Sequence, residues 1–395
     1  MQTLLFIFGL LLFTGLVLVH EWGHYVVARR NGVKAEEFGL GLPPRAIGKK
    51  LKSGMIISLN WLPIGGFVKL KGENDADRRK GSFGAAPLSA KTKIIMAGVF
   101  MNLVVGLLLL TFLAWVGMPR LITKETVGED QFTVASDTKV VRQDLMAGYI
   151  QPDSPAEHLG LAPRDVITQV KSGGDVRQIK AAPQLKQATD DFAGRTVFIT
   201  YKHNNVAVTK QVTLRSDAEV NASKNTDNPK GHLGVSPTEM QVRRSTWSAP
   251  VVAVGFTKQL TVLTFKGLGS AFAGVGSILA GTATGNHEAR VNGQTKATEQ
   301  IGGPVAIGAV LWGSGTLGIL FVLMIIAIIS LTLALINALP IPALDGGRLF
   351  LILFSRGLLK KPLSRRTEER IVGTSMAVIL GLLLLITVVD VKRFF

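Results

Sequence analysis

Four uncharged stretches constrain this chain more than anything else in it. Each is long enough to cross a bilayer, which takes about 20 mostly apolar residues. They are Thr3–Val19, Ile94–Met118, a stretch ending at Leu344 whose spanning part is expected to begin near Gly315, and Ile371–Val389. Only 18% of the residues are charged, against about 25% in soluble domains. The first stretch has the length of a secretory signal peptide. Yet its leading "MQT" carries no Lys or Arg and no small-residue cleavage site follows, so it reads as a retained membrane helix.

The formal net charge of +17 is distributed as topology. Residues 29–93 carry fourteen Lys/Arg against five Asp/Glu, and residues 348–370 carry seven more Lys/Arg. Both segments lie between apolar stretches, on one side if four of them span. The positive-inside rule makes that side the cytoplasm, with both termini and residues 119–314 facing out. Basic and aromatic residues do not interleave, so no nucleic-acid partner is expected. The absence of cysteine excludes disulfides and thiolate metal sites.

The expected fold is a multi-pass α-helical membrane protein of about four transmembrane helices, with a membrane-associated β-hairpin region and an inserted β-rich domain. A first helix over 1–30 is followed by cytoplasmic-side hairpins and a polar connector over 31–90. There, "MIISLNWLPIGGFV" is too apolar for a solvated loop and has to pair its backbone within the protein. A second helix covers 91–118, with Asn102 inside it as either a helix-packing amide or a functional group. Residues 119–246 change to alternating, turn-punctuated runs. Here Ser154 is a candidate N-cap, Pro155 the first helical residue and Gly160-Leu161 a stop. The segment "SPAEHLGLAPRDVI" resembles the corresponding run of PDZ domains, with Arg164 where that family often has glycine. The resemblance implies a domain that binds extended peptide at a sheet edge. Residues 247–314, interrupted by Lys258, Lys266 and many glycines, are expected as amphipathic helices on the membrane surface, with a fifth span as the alternative. A third transmembrane helix over 315–350, a basic loop over 351–370 and a fourth helix over 371–391 complete the chain.

The chemistry is concentrated where the first stretch ends, in "LVHEWGHY". His20 and His24 are four apart and share one face of a helix. With Glu21 between them they have the spacing of two imidazole zinc ligands and a general base. Ionisable groups in a membrane helix demand a compensating partner, and one zinc ion would satisfy all three. Catalytic zinc keeps three protein ligands and an open position. Asp345, the only acid in "SLTLALINALPIPALDGGRLF", is the best candidate for the third, on a turn broken by Pro340 and Pro342, with Gly346 and Gly347 allowing close backbone approach.

Taken together, "HEWGH" and "NALPIPALDGG" resemble the site-2 protease family of intramembrane zinc metalloproteases, and within it the bacterial regulator of sigma-E protease (RseP) type. "LPIGGFVKL" and "GGPVAIG" (302–308) extend the likeness over most of the chain, although one PDZ-like module is found where the longest members carry two. The resemblance implies Zn2+ held by His20, His24 and Asp345, Glu21 as general base, and Asn337 holding an unwound substrate backbone, a helix-bending or helix-packing amide being the other reading of Asn337. Substrate contacts are expected too from Pro340, Pro342 and, through strand pairing with the hairpin, Gly65, Gly66 and Phe67. It further implies a bacterial inner-membrane enzyme with its PDZ-like domain outside. Its substrates would be single-pass membrane proteins such as anti-sigma factors or signal-peptide remnants, with the PDZ-like domain docking or filtering their outer parts. The competing readings are a membrane-anchored HExxH peptidase of cytosolic or surface segments, a non-catalytic PDZ scaffold, and a zinc transporter. The transporter is the weakest of these, because a single metal constellation is present.

Overall fold

The computed structural model describes residues 2–203, 206–226, 228–288, 291–292 and 304–394. They form two units, one of Met1–Ala114 with Ser248–Phe395 and one of Trp115–Trp247. The first unit opens with helix α1, Gln2–Arg30. Arg29 and Arg30 sit in its last turn, where cations complement the helix dipole. The helix stops at Gly32, whose φ of +76° is open to glycine at little cost. Strands β1 (Ala35–Lys50) and β2 (Ile56–Leu70) then pair antiparallel. Both double back, so that Phe38 lies opposite Val68 on one side and Ile57 on the other. Ile47, Ile57, Leu59, Trp61 and Leu62 are left exposed on this sheet, an apolar surface that water does not favour. A connector leads to helix α2, Leu88–Val116.

The connector is not the loose linker its polarity suggests. Asp75 is buried and takes the Lys91 ammonium, itself fully buried, together with two hydrogen bonds of 2.9 Å from the Arg356 guanidinium. Burial alone would raise the Asp75 pKa; the Arg356 and Lys91 bonds outweigh it, and the net shift is downward. The lowered pKa means that this carboxylate stabilises the fold above its ordinary value of 3.8, a contribution lost as pH falls below that. Asp75→Ala would strand a buried ammonium, and is expected to cost about 3–5 kcal/mol, read as a lowered melting temperature of the purified protein in detergent. An unchanged melting temperature would show that water reaches Lys91.

The second unit is a β domain. Its elements are β3 (Met118–Pro119), α3 (Lys124–Val127), β4 (Lys139–Ile150), α4 (Pro155–His158), β5 (Val166–Ser172), β6 (Asp175–Gln178), α5 (Ala182–Asp191), β7 (Thr196–His203), β8 (Val206–Thr213), α6 (Asp217–Ser223) and β9 (Val235–Arg244). The sheet order is β3-β9-β4-β5-β7-β8, with β6 on β5. Inward residues Leu145, Ile167, Val170, Val197 and Ile199 pack under Leu159 and Leu185 to make the core. Ser154 caps α4 by accepting the Glu157 N–H, and Pro155 is its first residue, as expected. Gly160 ends the turn at φ +71°. Arg164 takes a φ of +77°, so the position where PDZ sequences often carry glycine has glycine-like backbone here with an arginine in it.

The first unit resumes with α7 (Ala249–Thr284), α8 (Pro304–Leu317), α9 (Ile319–Asn337), α10 (Asp345–Gly357) and α11 (Arg365–Phe394). Residues 249–284 are one continuous helix of 36 residues, α7, which joins α1, α2, α9 and α11 as the fifth helix long and apolar enough to cross a membrane by length and composition; surface helices and a fifth span were the two expectations for this region. Glycines are common in apolar helices of this kind, and lysines can carry their charge outward on a long stem, so neither interrupts it. The helix expected over 315–350 ends instead at Asn337, and Asp345 opens a new helix rather than sitting on the irregular turn itself. Pro340 and Pro342 supply no N–H donors to continue α9. Asn337, Ala338 and the residues through Leu344 make the connection. Gly318, at φ +105°, separates α8 from α9. Leu311 of α8 packs with Leu16 and Ile326, so α1, α8 and α9 share a core. The "GG" of the "GGPVAIG" match lies outside the described residues.

Candidate metal centre

Three chain segments meet in the last third of α1. His20 and His24 are both buried and their Nε2 atoms lie 3.2 Å apart. Asp345 Oδ2 is 3.1 Å from the first and 3.3 Å from the second. Tetrahedral zinc with bonds of about 2.0–2.1 Å separates its ligand atoms by about 3.3 Å, the size of this triangle. The outer sides of the imidazoles decide whether the triangle suits a cation. His24 Nδ1 lies 2.7 Å from the Ile94 carbonyl oxygen, which can only accept. Nδ1 therefore carries the hydrogen, and in the neutral ring Nε2 presents a lone pair toward a carboxylate oxygen. Lone pairs converging at this distance repel unless a proton or a metal cation lies between them, and two imidazoles with one carboxylate are a donor set that fits a zinc ion. Among the described residues this is the one cluster of three His, Cys, Asp or Glu close enough to share a metal.

Helix α2 forms the floor. A Cβ built on Gly98 would sit 2.6 Å from His20 Nε2 and closer still to His24 Nε2, so only glycine leaves room for both rings. Gly23, between the two histidines, plays the same part for the backbones: a Cβ there would meet the Ala97 carbonyl oxygen at 2.7 Å. Asn102, one turn beyond Gly98, has its side-chain amide 3.2 Å from His20 Nδ1; the amide is placed with Nδ2 toward the ring, which leaves its buried Oδ1 without a hydrogen-bond partner among the described residues. Its main-chain oxygen accepts the Ser330 hydroxyl of α9 at 2.8 Å.

Asp345 is brought in by the start of α10. A Cβ on Gly346 would run into the Ala338 carbonyl and one on Gly347 into the Ile341 carbonyl, so the pair of glycines lets the new helix start directly against the turn. The Ser375 hydroxyl of α11 accepts the Ala343 N–H at 3.2 Å and ties down the same turn.

Glu21 does not join the triangle. Its Oε2 accepts the Val68 N–H of β2 at 2.9 Å, a contact that residue patterns alone did not suggest. His20, Glu21, His24, Phe67, Asn337 and Asp345 all line one cavity of about 250 Å³. Of the other expected substrate-contact residues, Gly66 comes near, since a Cβ there would be 3.6 Å from Glu21 Cγ. Pro342 lines a neighbouring cavity of about 490 Å³ that also reaches Asp345. Gly65 and Pro340 line neither.

A sequence model of peptidase family M50 matches residues 8–382. A protein of Clostridium perfringens, named as a candidate zinc metalloprotease, is 27% identical over 98% of each chain. A protein of the same description from Nostoc is 29% identical over 93% of this chain and 90% of its own. The zinc metalloprotease RasP of Shouchella clausii is 25% identical over 97% of this chain and 98% of its own.

Proposed function

The chain belongs to peptidase family M50 and is a zinc metalloprotease; from that premise we propose that it cuts peptide bonds inside the transmembrane segments of other membrane proteins, with His20, His24 and Asp345 as zinc ligands and Glu21 as general base. The reading is carried by one observation. The ligand triangle and Glu21 line a cavity in the last third of a helix apolar enough to cross a membrane, beside the edge of β2. Zinc supplies Lewis acidity, polarising the scissile carbonyl and making water nucleophilic near neutral pH. Glu21, steadied by the Val68 N–H, takes the proton from the attacking water and returns it to the leaving nitrogen. A helix hides its peptide bonds, so the substrate has to be extended to react. The edge of β2 around Gly66 and Phe67 would pair with it as an added strand, and Asn337 would hold its backbone from the opposite wall. The exposed apolar residues of the β1–β2 sheet support contact with lipid. The inner membrane of a bacterium is the proposed location, and anti-sigma factors and signal-peptide remnants are the proposed substrates.

The β domain is proposed to screen the outer part of substrates. A cavity of about 870 Å³ runs between α5, α6 and residues 230–237, where β9 begins. On this side β9 pairs with β3 only at Val242 and Arg243. Its start is thus suited to an added extended segment.

One assay tests both parts. The purified protein in detergent is given single-span substrates with short or long outer domains, and the cuts are mapped by mass spectrometry. Cuts within the span, abolished by a zinc chelator, are expected. Cuts confined to soluble flanks would favour the surface-peptidase reading instead. Replacing residues 119–246 by a short linker is expected to speed cleavage of long substrates and leave short ones unaffected; equal rates on both before and after would dismiss the screening role.

A further inference from the structure

We infer that Asn102 is a positioning residue whose side-chain oxygen accepts the Nδ1 hydrogen of His20, keeping the Nε2 lone pair of that ring turned toward the metal position. The inference rests on the zinc-site reading above and deepens it. The two imidazoles differ in how their tautomers are fixed. His24 faces a main-chain carbonyl, which leaves it no choice. His20 faces an amide, which can accept through oxygen or donate through nitrogen.

The two amide orientations place heavy atoms at the same points and have opposite consequences. With the NH2 group toward His20, the ring has to accept at Nδ1, and its hydrogen moves to Nε2. That hydrogen would point into the triangle and leave a single imidazole able to ligate. With the oxygen toward His20, Nδ1 keeps the hydrogen and both rings offer Nε2. Ligating histidines commonly have such an acceptor behind them. Ile94, Gly98 and Asn102 follow at intervals of four along one face of α2. That face gives each ring an acceptor and leaves the space between them clear.

A packing role does not account for the residue. The link from α2 to α9 is made by the Asn102 main-chain oxygen, which any residue would supply. The side chain is 1% exposed and its one hydrogen-bond partner among the described residues is the His20 ring; turning the amide over brings the otherwise unpartnered oxygen to that ring.

Asn102→Asp and Asn102→Leu separate the possibilities in the purified full chain, with His20→Ala as reference. Zinc affinity is measured by competition with a chromogenic chelator, and ligand geometry by the visible spectrum of the Co2+-substituted protein. An aspartate can only accept, so Asn102→Asp is expected to hold zinc within about threefold of the parent. Asn102→Leu keeps the volume and loses the acceptor, and is expected to weaken zinc by about 10–100-fold with shifted Co2+ bands. Parental affinity and spectrum in Asn102→Leu would overturn the inference. So would a loss in Asn102→Asp, which would mean that His20 uses the amide hydrogen; that variant decides the matter even if the leucine variant fails to fold. If His20→Ala binds zinc like the parent, the zinc-site reading itself fails, and this inference with it.

Discussion

Glu21→Gln is expected to keep about one zinc per chain and to slow peptide-bond cleavage by about 10²–10⁴-fold. The substitution preserves shape, and the glutamine oxygen can still accept the Val68 N–H that now holds the carboxylate. What it removes is the ability to take a proton from water. The ligand triangle lies on the neighbouring residues and is untouched. Metal analysis and turnover on the same preparation check this. Parental turnover would remove Glu21 from the mechanism, and loss of zinc would make it a ligand instead of a base.

Gly98→Ala should have an equally large effect through geometry alone. One methyl group would enter the space where both Nε2 atoms sit, displacing the rings from the triangle. Zinc affinity is expected to fall by at least about a hundredfold. Alanine is the better helix former by about 1 kcal/mol, so α2 itself should not suffer. The measurement is zinc retained after equilibration against a chelator, with helicity followed by circular dichroism. A fully helical variant that retains zinc at parental affinity would show that α2 moves aside more easily than this packing implies.

The parts of the site that a sequence displays are those written in side chains of unusual chemistry. His20, Glu21 and His24 stand out because an apolar helix has little other use for them, and Asp345 because it is alone in its stretch. The structure brings the two histidines and that aspartate together. What could not be read is carried by the backbone. The Ile94 carbonyl behind His24 and the Val68 N–H that holds Glu21 belong to residues whose side chains say nothing of the role. Gly98 is one of 43 glycines, and only the opposing rings distinguish it. The fold followed the same division. Apolar length revealed α1, α2, α9 and α11, and turn chemistry revealed the cap at Ser154. The continuity of α7 was hidden because Lys258, Lys266 and the glycines look like interruptions, whereas a long apolar helix accommodates them. The break after Asn337 was legible in Pro340 and Pro342; the new helix that Asp345 opens was not, because the apolar run continues and no side-chain cap precedes it.

The separation of the ligand set along the chain has a consequence for biosynthesis. A ribosome releases His20 and His24 about 320 residues before Asp345. At about 5–20 residues per second, roughly 15–60 s of translation pass between them. Throughout that interval the nascent chain holds an imidazole pair without its carboxylate, while its first helices already share the bilayer with other newly made proteins. The hydrolase is therefore born latent. On the proposed ligand set, it acquires its chemistry only once α10 has been made and brings Asp345 to the two histidines.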